Sequence, residues 1–411
     1  MDKNKRRLLY FLFLISTLTF GQNQIRSRGS VPAFRLVAND LEVVRSVQPE
    51  QYFDKIGKRA GIMGYESGSF EMWVWPWKAL RNFELSFLLN TSTQPIAGRD
   101  IARTISVTPE ATAITYVYES FTVKEIIIVP RGEPGAIILL DVHTTLPLTI
   151  VSSFLPVMQP MWPAGVGGQF SYWDDDAHAY VLSEGRWRAI VLCGSPAAQQ
   201  MAAPPAHMFA DSPIQFKIEV KPSQQDNAFI PVVIAGGGKI KMDSVKAIYN
   251  GLWKNAERLY RENCAYYGNL RNSTVQVITP DKSLNLAYEW GKVALDNLVV
   301  VNRDLGTGLV AGFGLSGGGA RPGFAWFFGG DAFINALAFD SYGAYSTVRD
   351  GIAFTQQWQR QEDFPIRAKK PGEINEDVGK MAHELSQSDG ELCDWWNDYH
   401  YGYNHADTTP W

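Results

Sequence analysis

The sequence predicts a multidomain β + α protein, an antiparallel β-sandwich followed by helices, and three observations carry the prediction. From about residue 32 to 235, short runs rich in Val, Ile, Thr, Tyr and Phe recur between Gly, Pro, Asn and Asp, with no long helical stripe among them. Near residue 242 the apolar spacing changes from strand-like to helical. The chain has 411 residues, more than one hydrophobic core usually organises, so two domains are expected.

In chain order, MDKNKRRLLYFLFLISTLTFGQNQ joins a basic start (Lys3, Lys5, Arg6, Arg7) to an apolar run from Leu8 to Phe20 and then small or polar residues. This is the pattern of a secretory signal, too short to span a bilayer comfortably. Residues 1–22 are therefore read as a signal peptide, and the protein is expected to be exported, to the periplasm or the exterior. No later segment reaches the roughly 18 uninterrupted apolar residues of a membrane helix, so stable membrane insertion is not expected.

Residues 23–240 are assigned to the sandwich. The segment SFEMWVWPWKALRNFELSF (69–87) alternates apolar and polar positions on both sides of Pro76, which fits an edge strand or a bend. Residues 241–275 form a helical linker in which Val245, Ile248, Leu252, Leu259 and Tyr260 recur at helical spacing. From 276 onward helices are expected at 281–301, 330–340, 344–360 and 375–388, with an incomplete piece after 404. Asp281 is placed as the cap of the first, and Leu284, Tyr288, Leu295 and Leu298 as its apolar stripe. The stretch from 304 to 325 is predicted to be a glycine-rich loop, of a length that is uncommon without a function. Its GFGLSGGG follows no strand and opens no nucleotide-type unit, so phosphate binding is not expected.

A net charge of −4 with 19% charged residues gives no basic field for nucleic acid. The three cysteines, Cys193, Cys264 and Cys393, are widely spaced and odd in number, so no disulfide framework and no Cys-x-x-Cys metal site can be built. No His, Asp or Glu spacing specifies a metal, and no cofactor is indicated. Aromatics reach 13%, with 13 Trp and 17 Tyr. That suits stacking on sugar rings, and equally an aromatic-rich sandwich core.

Three clusters combine a carboxylate with an aromatic or a histidine at a loop-to-helix junction: PGFAWFFGGDAFINAL (322–337), GKMAHE (379–384) and NHADTTPW (404–411). Such a set suits a carbohydrate cleft, in which rings stack on a pyranose face and carboxylates hold its hydroxyls. The candidate substrate-binding residues are Trp326, Phe327, Asp331, His383, Glu384, Asp407 and Trp411. Each carboxylate also has a plainer reading: Asp331 and Asp407 as helix N-terminal caps, and Glu384 with His383 as a solvated helical pair.

These motifs resemble those of bacterial glycogen-debranching, amylo-α-1,6-glucosidase-like glycoside hydrolases of the six-hairpin superfamily. Phe328 to Asp331 are similar to that family's Phe-Gly-Arg-Asp, with Gly330 in place of the arginine. Residues 379–384 are similar to Gly-Lys-Ile-Pro-His-Glu, with Ala382 in place of proline, and Asp407 to Pro410 to Asp-(Ser/Ala/Thr)-Thr-Pro. FEMWVWPWKAL is similar to Phe-Glu-x-Trp-x-x-Pro-Phe-Lys-Ile-Leu, so the resemblance touches roughly residues 60 to 411.

The resemblance implies that the sandwich and linker lead into an (α/α)6 toroid beginning near residue 276. A ring of twelve helices, at roughly 25 to 30 residues per helix and loop, needs more than twice the residues that remain, so residues 276–411 are read as a truncated (α/α)6 domain. Hydrolysis needs one protonated carboxyl at the leaving oxygen and a second carboxylate for water, about 6.5 to 9.5 Å apart in inverting enzymes. The resemblance puts that pair beyond Trp411; Asp331 with Glu384 is the fallback pair within the chain. The expected function is an inverting glycoside hydrolase acting on α-glucan or a related oligosaccharide, here an N-terminal fragment. A sugar phosphorylase of the same architecture and a non-catalytic carbohydrate-binding protein are the alternatives.

Overall fold

A computed structural model describes residues 29–161, 169–185, 189–202, 212–222 and 227–359, together with the short pairs 381–382, 384–385 and 403–404. The expected signal peptide, His383, Asp407 and Trp411 lie outside the described residues.

Two antiparallel sheets face each other. The larger runs in the order 169–174, 179–184, 189–194, 228–238, 135–144, 121–128, 112–118, 102–107, 43–46. The smaller runs 199–202, 214–220, 148–160, 77–89, 70–74, 60–65, 52–56. Strand periodicity of two sends alternate residues to opposite faces. On Gly135–Thr144, Ala136, Ile138 and Leu140 enter the core between the sheets, while Ile137 and Leu139 enter a second core on the outside. Burial on both faces explains why this strand reads as a continuous apolar run rather than an alternation.

The second core is closed by helices α1 (Met242–Lys254) and α2 (Ala256–Asn272), which break at Asn255. Val245, Tyr249, Leu252, Leu259 and Tyr260 pack onto the larger sheet. The linker is therefore a layer of the sandwich rather than a free spacer. Burying each such side chain contributes about 1.5–3 kcal/mol.

Pro76 marks a bend. The Trp75–Pro76 peptide is cis at the turn between Phe70–Val74 and Trp77–Leu89, and both strands lie inside the smaller sheet rather than at its edge. The neighbouring hairpin turns at Gly68, whose φ of +93° favours glycine and where a Cβ would stand 2.1 Å from Tyr116 Oη. Gly68→Ala is expected to cost about 1–3 kcal/mol, read as a lower melting temperature by circular dichroism. An unchanged melt would show that Tyr116 moves aside freely.

Helix α3 (Lys282–Asn297) starts as expected, with the Asp281 carboxylate accepting from Ser283 N at 2.8 Å and Leu284 N at 3.3 Å. Its buried face differs from the expected stripe. Leu284 is 53% exposed, and Glu289, Lys292, Val293 and Asp296 point inward. Lys292 Nζ lies 3.0 Å from Glu289 and donates to Thr274 Oγ1 and Val275 O, both at 3.1 Å. Partners from other elements satisfy these charges, and an apolar pattern cannot announce that.

The chain beyond α3 corrects three expectations. The helix expected to reach residue 301 ends at Asn297, and Val299–Asn302 is a strand, because three consecutive β-branched residues favour extended backbone. It pairs with Gly306–Gly312, which pairs with Phe324–Phe328, which in turn pairs with Glu384–Leu385. The stretch 304–325 is thus two strand segments around a shorter loop at 313–323, and 381–382 and 384–385 are strands where a helix was expected. Helices α4 (Gly329–Ser341) and α5 (Tyr345–Gln357) agree with the sequence. The described residues after 276 hold only these three helices and contain no closed helical ring, so the toroid is not part of the described fold.

Candidate functional site

The strand Phe324–Phe328 carries two of the candidate residues, Trp326 and Phe327. Phe324, Trp326 and Phe328 share one face, with ring centroids 5.8 Å apart for Phe324–Trp326 and 5.1 Å for Trp326–Phe328. Phe327 points the other way, 4.5 Å from the Phe354 ring of α5. Trp326 is 3% exposed and Phe327 5%. Both belong to one apolar cluster with Ile56, Met63, Trp73 and Trp75 on the outward face of the smaller sandwich sheet. The rings expected to stack on a sugar therefore serve as packing: a four-stranded sheet this small needs them to seal against the sandwich. The ring of this row that faces solvent is Phe324, at 59% exposure.

Asp331 lies in the first turn of α4, exposed, and its side chain makes no capping hydrogen bond; the cap position itself is Phe328. A carboxylate there still complements the positive end of the helix dipole. Its oxygens are left open to solvent and to ligands.

Backbone pairing brings the distant motif segments together. Phe328 pairs with Glu384 and Phe327 with Leu385. Met381 pairs with Asn404 and Ala382 with Tyr403. Segment 379–384 is thereby stitched on one side to the strand that leads into Asp331 and on the other to the start of segment 404–411. His383, Asp407 and Trp411 lie outside the described residues, within or next to these segments.

Two small apolar hollows flank the strand, one beside Leu309, Phe327, Phe328 and Phe354, the other beside Trp75, Met161, Asn302 and Trp326. Each has room for about one water molecule. Neither hollow has room for a sugar ring. Among the described residues, no group of three His, Cys, Asp or Glu stands together to hold a metal ion. No described helix is long and apolar enough to cross a membrane.

Glu71 and Lys78, which are not among the candidate residues above, are buried on the sandwich face beneath the 313–323 loop. A signal was present: both are charges set within the tryptophan-rich run FEMWVWPWK, where a solvated surface strand would not be expected.

No family model matches the chain, and no curated protein matches it in sequence. In fold it is similar to the crystal structure of a bacterial glucoamylase complexed with acarbose, with a TM-score of 0.52 and 11% identity over 79% of this chain and 52% of that one. Weaker likenesses are to a putative kojibiose phosphorylase from human microbiome (TM-score 0.44, 8% identity, 69% of this chain and 44% of that one) and to an alpha-N-acetylgalactosaminidase from Bifidobacterium bifidum (TM-score 0.30, 12% identity, 58% of this chain and 45% of that one). At these scores the last two carry no weight. The chain spans about half the length of the glucoamylase, and what the two share is the fold.

Proposed function

We propose that the protein is a glycoside hydrolase of the six-hairpin type, acting with inversion on α-linked glucan or a related oligosaccharide. The observation that carries this reading is the backbone pairing that ties the strand leading into α4 to 384–385, and 381–382 in turn to 403–404, with the exposed Asp331 three residues beyond Phe328. The fold likeness to a glucoamylase supports it.

In this reading residues 23–240 form the sandwich domain, 241–275 the linker and 276–411 the beginning of the catalytic-type domain, exported after loss of residues 1–22. Asp331 and Asp407 accept hydrogen bonds from sugar hydroxyls, His383 and Glu384 line the same end, and Phe324 offers the solvent-facing ring. A hydrogen bond to an ionised carboxylate contributes about 1.5–3 kcal/mol, so two of them fix the orientation of one sugar. The resemblance in sequence puts the general acid and base downstream of the Asp-Thr-Thr-Pro segment. Within the chain, Asp331 with Glu384 is the pair to test first. Cleavage of α-1,6 branches is the specificity the motifs suggest. Gly330, standing where those relatives have arginine, removes one donor to a terminal glucose.

Asp331→Asn keeps the size of the side chain and removes its charge. The affinity for malto- and isomalto-oligosaccharides, measured by calorimetry, is expected to fall about tenfold or more, which is one lost charge-assisted bond. The melting temperature should stay within a few degrees, because the side chain is exposed. Unchanged affinity in a protein that binds the sugar would leave Asp331 with only its helix-dipole role.

A further inference from the structure

We propose that Glu71 and Lys78 are positioning residues that hold the 313–323 loop in one conformation at the edge of the saccharide site; the proposal rests on the carbohydrate reading above. Both belong to the FEMWVWPWK run. Phe70, Met72 and Val74 of that run enter the core between the sheets, which turns Glu71 and Trp73 to the opposite face, and Lys78 is the register partner of Trp73. The Lys78 side chain is fully buried and that of Glu71 is 3% exposed.

Nearly all their hydrogen bonds go to the loop. Lys78 Nζ donates to Ser316 Oγ at 2.5 Å, to Gly317 O at 2.6 Å and to Gly319 O at 3.3 Å. Glu71 accepts from Ser316 N at 2.9 Å, Ser316 Oγ at 3.0 Å and Gly317 N at 3.2 Å, and from the neighbouring Trp73 Nε1 at 3.0 Å. The two charges are themselves 3.5 Å apart. The grip is on main chain and one hydroxyl, across some 240 positions of sequence.

A buried ion pair is a poor way to gain stability, since apolar residues of the same volume often do as well or better; what such a pair can supply is a single geometry. This loop needs one. It holds Gly314, Gly317, Gly318, Gly319 and Gly323, and ordering glycine costs more backbone entropy than ordering any other residue. Its ends also matter. Phe313 packs 5.7 Å from Trp75, while the other end delivers the exposed Phe324 and the strand that runs into Asp331. Fixing the loop therefore fixes the outermost ring of the row.

The test is the double variant Glu71→Gln with Lys78→Met, which removes both charges and keeps both shapes. Hydrogen exchange is read at the Gly319 and Gly323 amides, whose bonds to Ser316 O and Arg321 O lie within the loop, and affinity for the same oligosaccharides is read by calorimetry. Exchange at those amides is expected to speed up about tenfold or more and affinity to fall about tenfold, with the melting temperature held within about 5 °C. Ser316→Ala, which removes the bridging hydroxyl and leaves the sandwich untouched, should move both readouts the same way by less. Unchanged exchange in either variant overturns the proposal, as does faster exchange with unchanged affinity. If the unaltered protein binds none of the sugars, the carbohydrate reading has failed instead, and exchange alone then decides whether the pair positions the loop.

Discussion

Glu125→Gln is expected to stabilise the protein by about 3 kcal/mol at pH 8 and to leave it nearly unchanged at pH 4. Glu125 sits between the sheets with no exposed surface. Its Oε2 accepts from Tyr116 Oη at 2.6 Å, and its Oε1 has no hydrogen-bond partner among the described residues. Burial pushes its carboxyl up to about 7, and the Tyr116 hydroxyl only partly opposes this. The sign follows from proton counts. Between the ordinary value near 4.5 and the folded value near 7, the folded chain binds a proton that the unfolded chain has released. Stability therefore falls as pH rises through that window: it is fully present below about 4.5 and lost above about 7. Glutamine stays neutral and its amide oxygen still accepts from Tyr116, so the variant should lack this slope. Urea unfolding at pH 5 and pH 8 measures it, and parallel slopes for the two proteins would rule out Glu125 as the source.

Arg131→Met is expected to cost about 3–5 kcal/mol, because it strands a buried carboxylate. Arg131 leaves the turn before Gly135–Thr144 and reaches Asp296 of α3 at 2.6 Å. Its guanidinium lies 4.7 Å from the centroid of the Tyr266 ring of α2, and Tyr266 Oη donates to the other Asp296 oxygen at 2.6 Å. Its backbone N–H donates to Asn263 Oδ1 at 3.1 Å, while Asn263 Nδ2 donates to Val129 O, also at 3.1 Å. One side chain thus ties the sandwich to both α2 and α3. Adding Asp296→Leu should recover at least half of the loss, since it removes the stranded charge. A double-mutant cycle by thermal unfolding gives the coupling directly, and a coupling near zero would mean that the sandwich and α3 are held by apolar contact alone.

The fold around the candidate site is legible in part. The start of α4 and the cap at Asp281 follow from signals within a few residues, and the structure agrees with them; the plainer reading of Asp331 as the cap does not hold, because Phe328 occupies that position. The roles of Trp326 and Phe327 were not legible, because a ring beside glycine reads the same whether it faces a ligand or the outer face of a sandwich some 250 residues earlier in the chain. The strands at 381–382 and 384–385 were hidden for a related reason. Two residues are too few to show periodicity, and their pairing with 403–404 and 327–328 is a matter of which edges remain open.

By itself the sequence determined the sandwich, the change to helices near 242 and the apolar faces of α1 and α2. In each the information is local: spacing, a cap or a turn residue set by neighbours in the chain. Only the tertiary structure decided that the linker is a layer of the sandwich, that α3 buries its charges, and that Glu71 and Lys78 grip a distant glycine-rich loop. A buried charge is tolerable only where partners from other elements complete its hydrogen bonds, and those partners are brought within reach by folding alone.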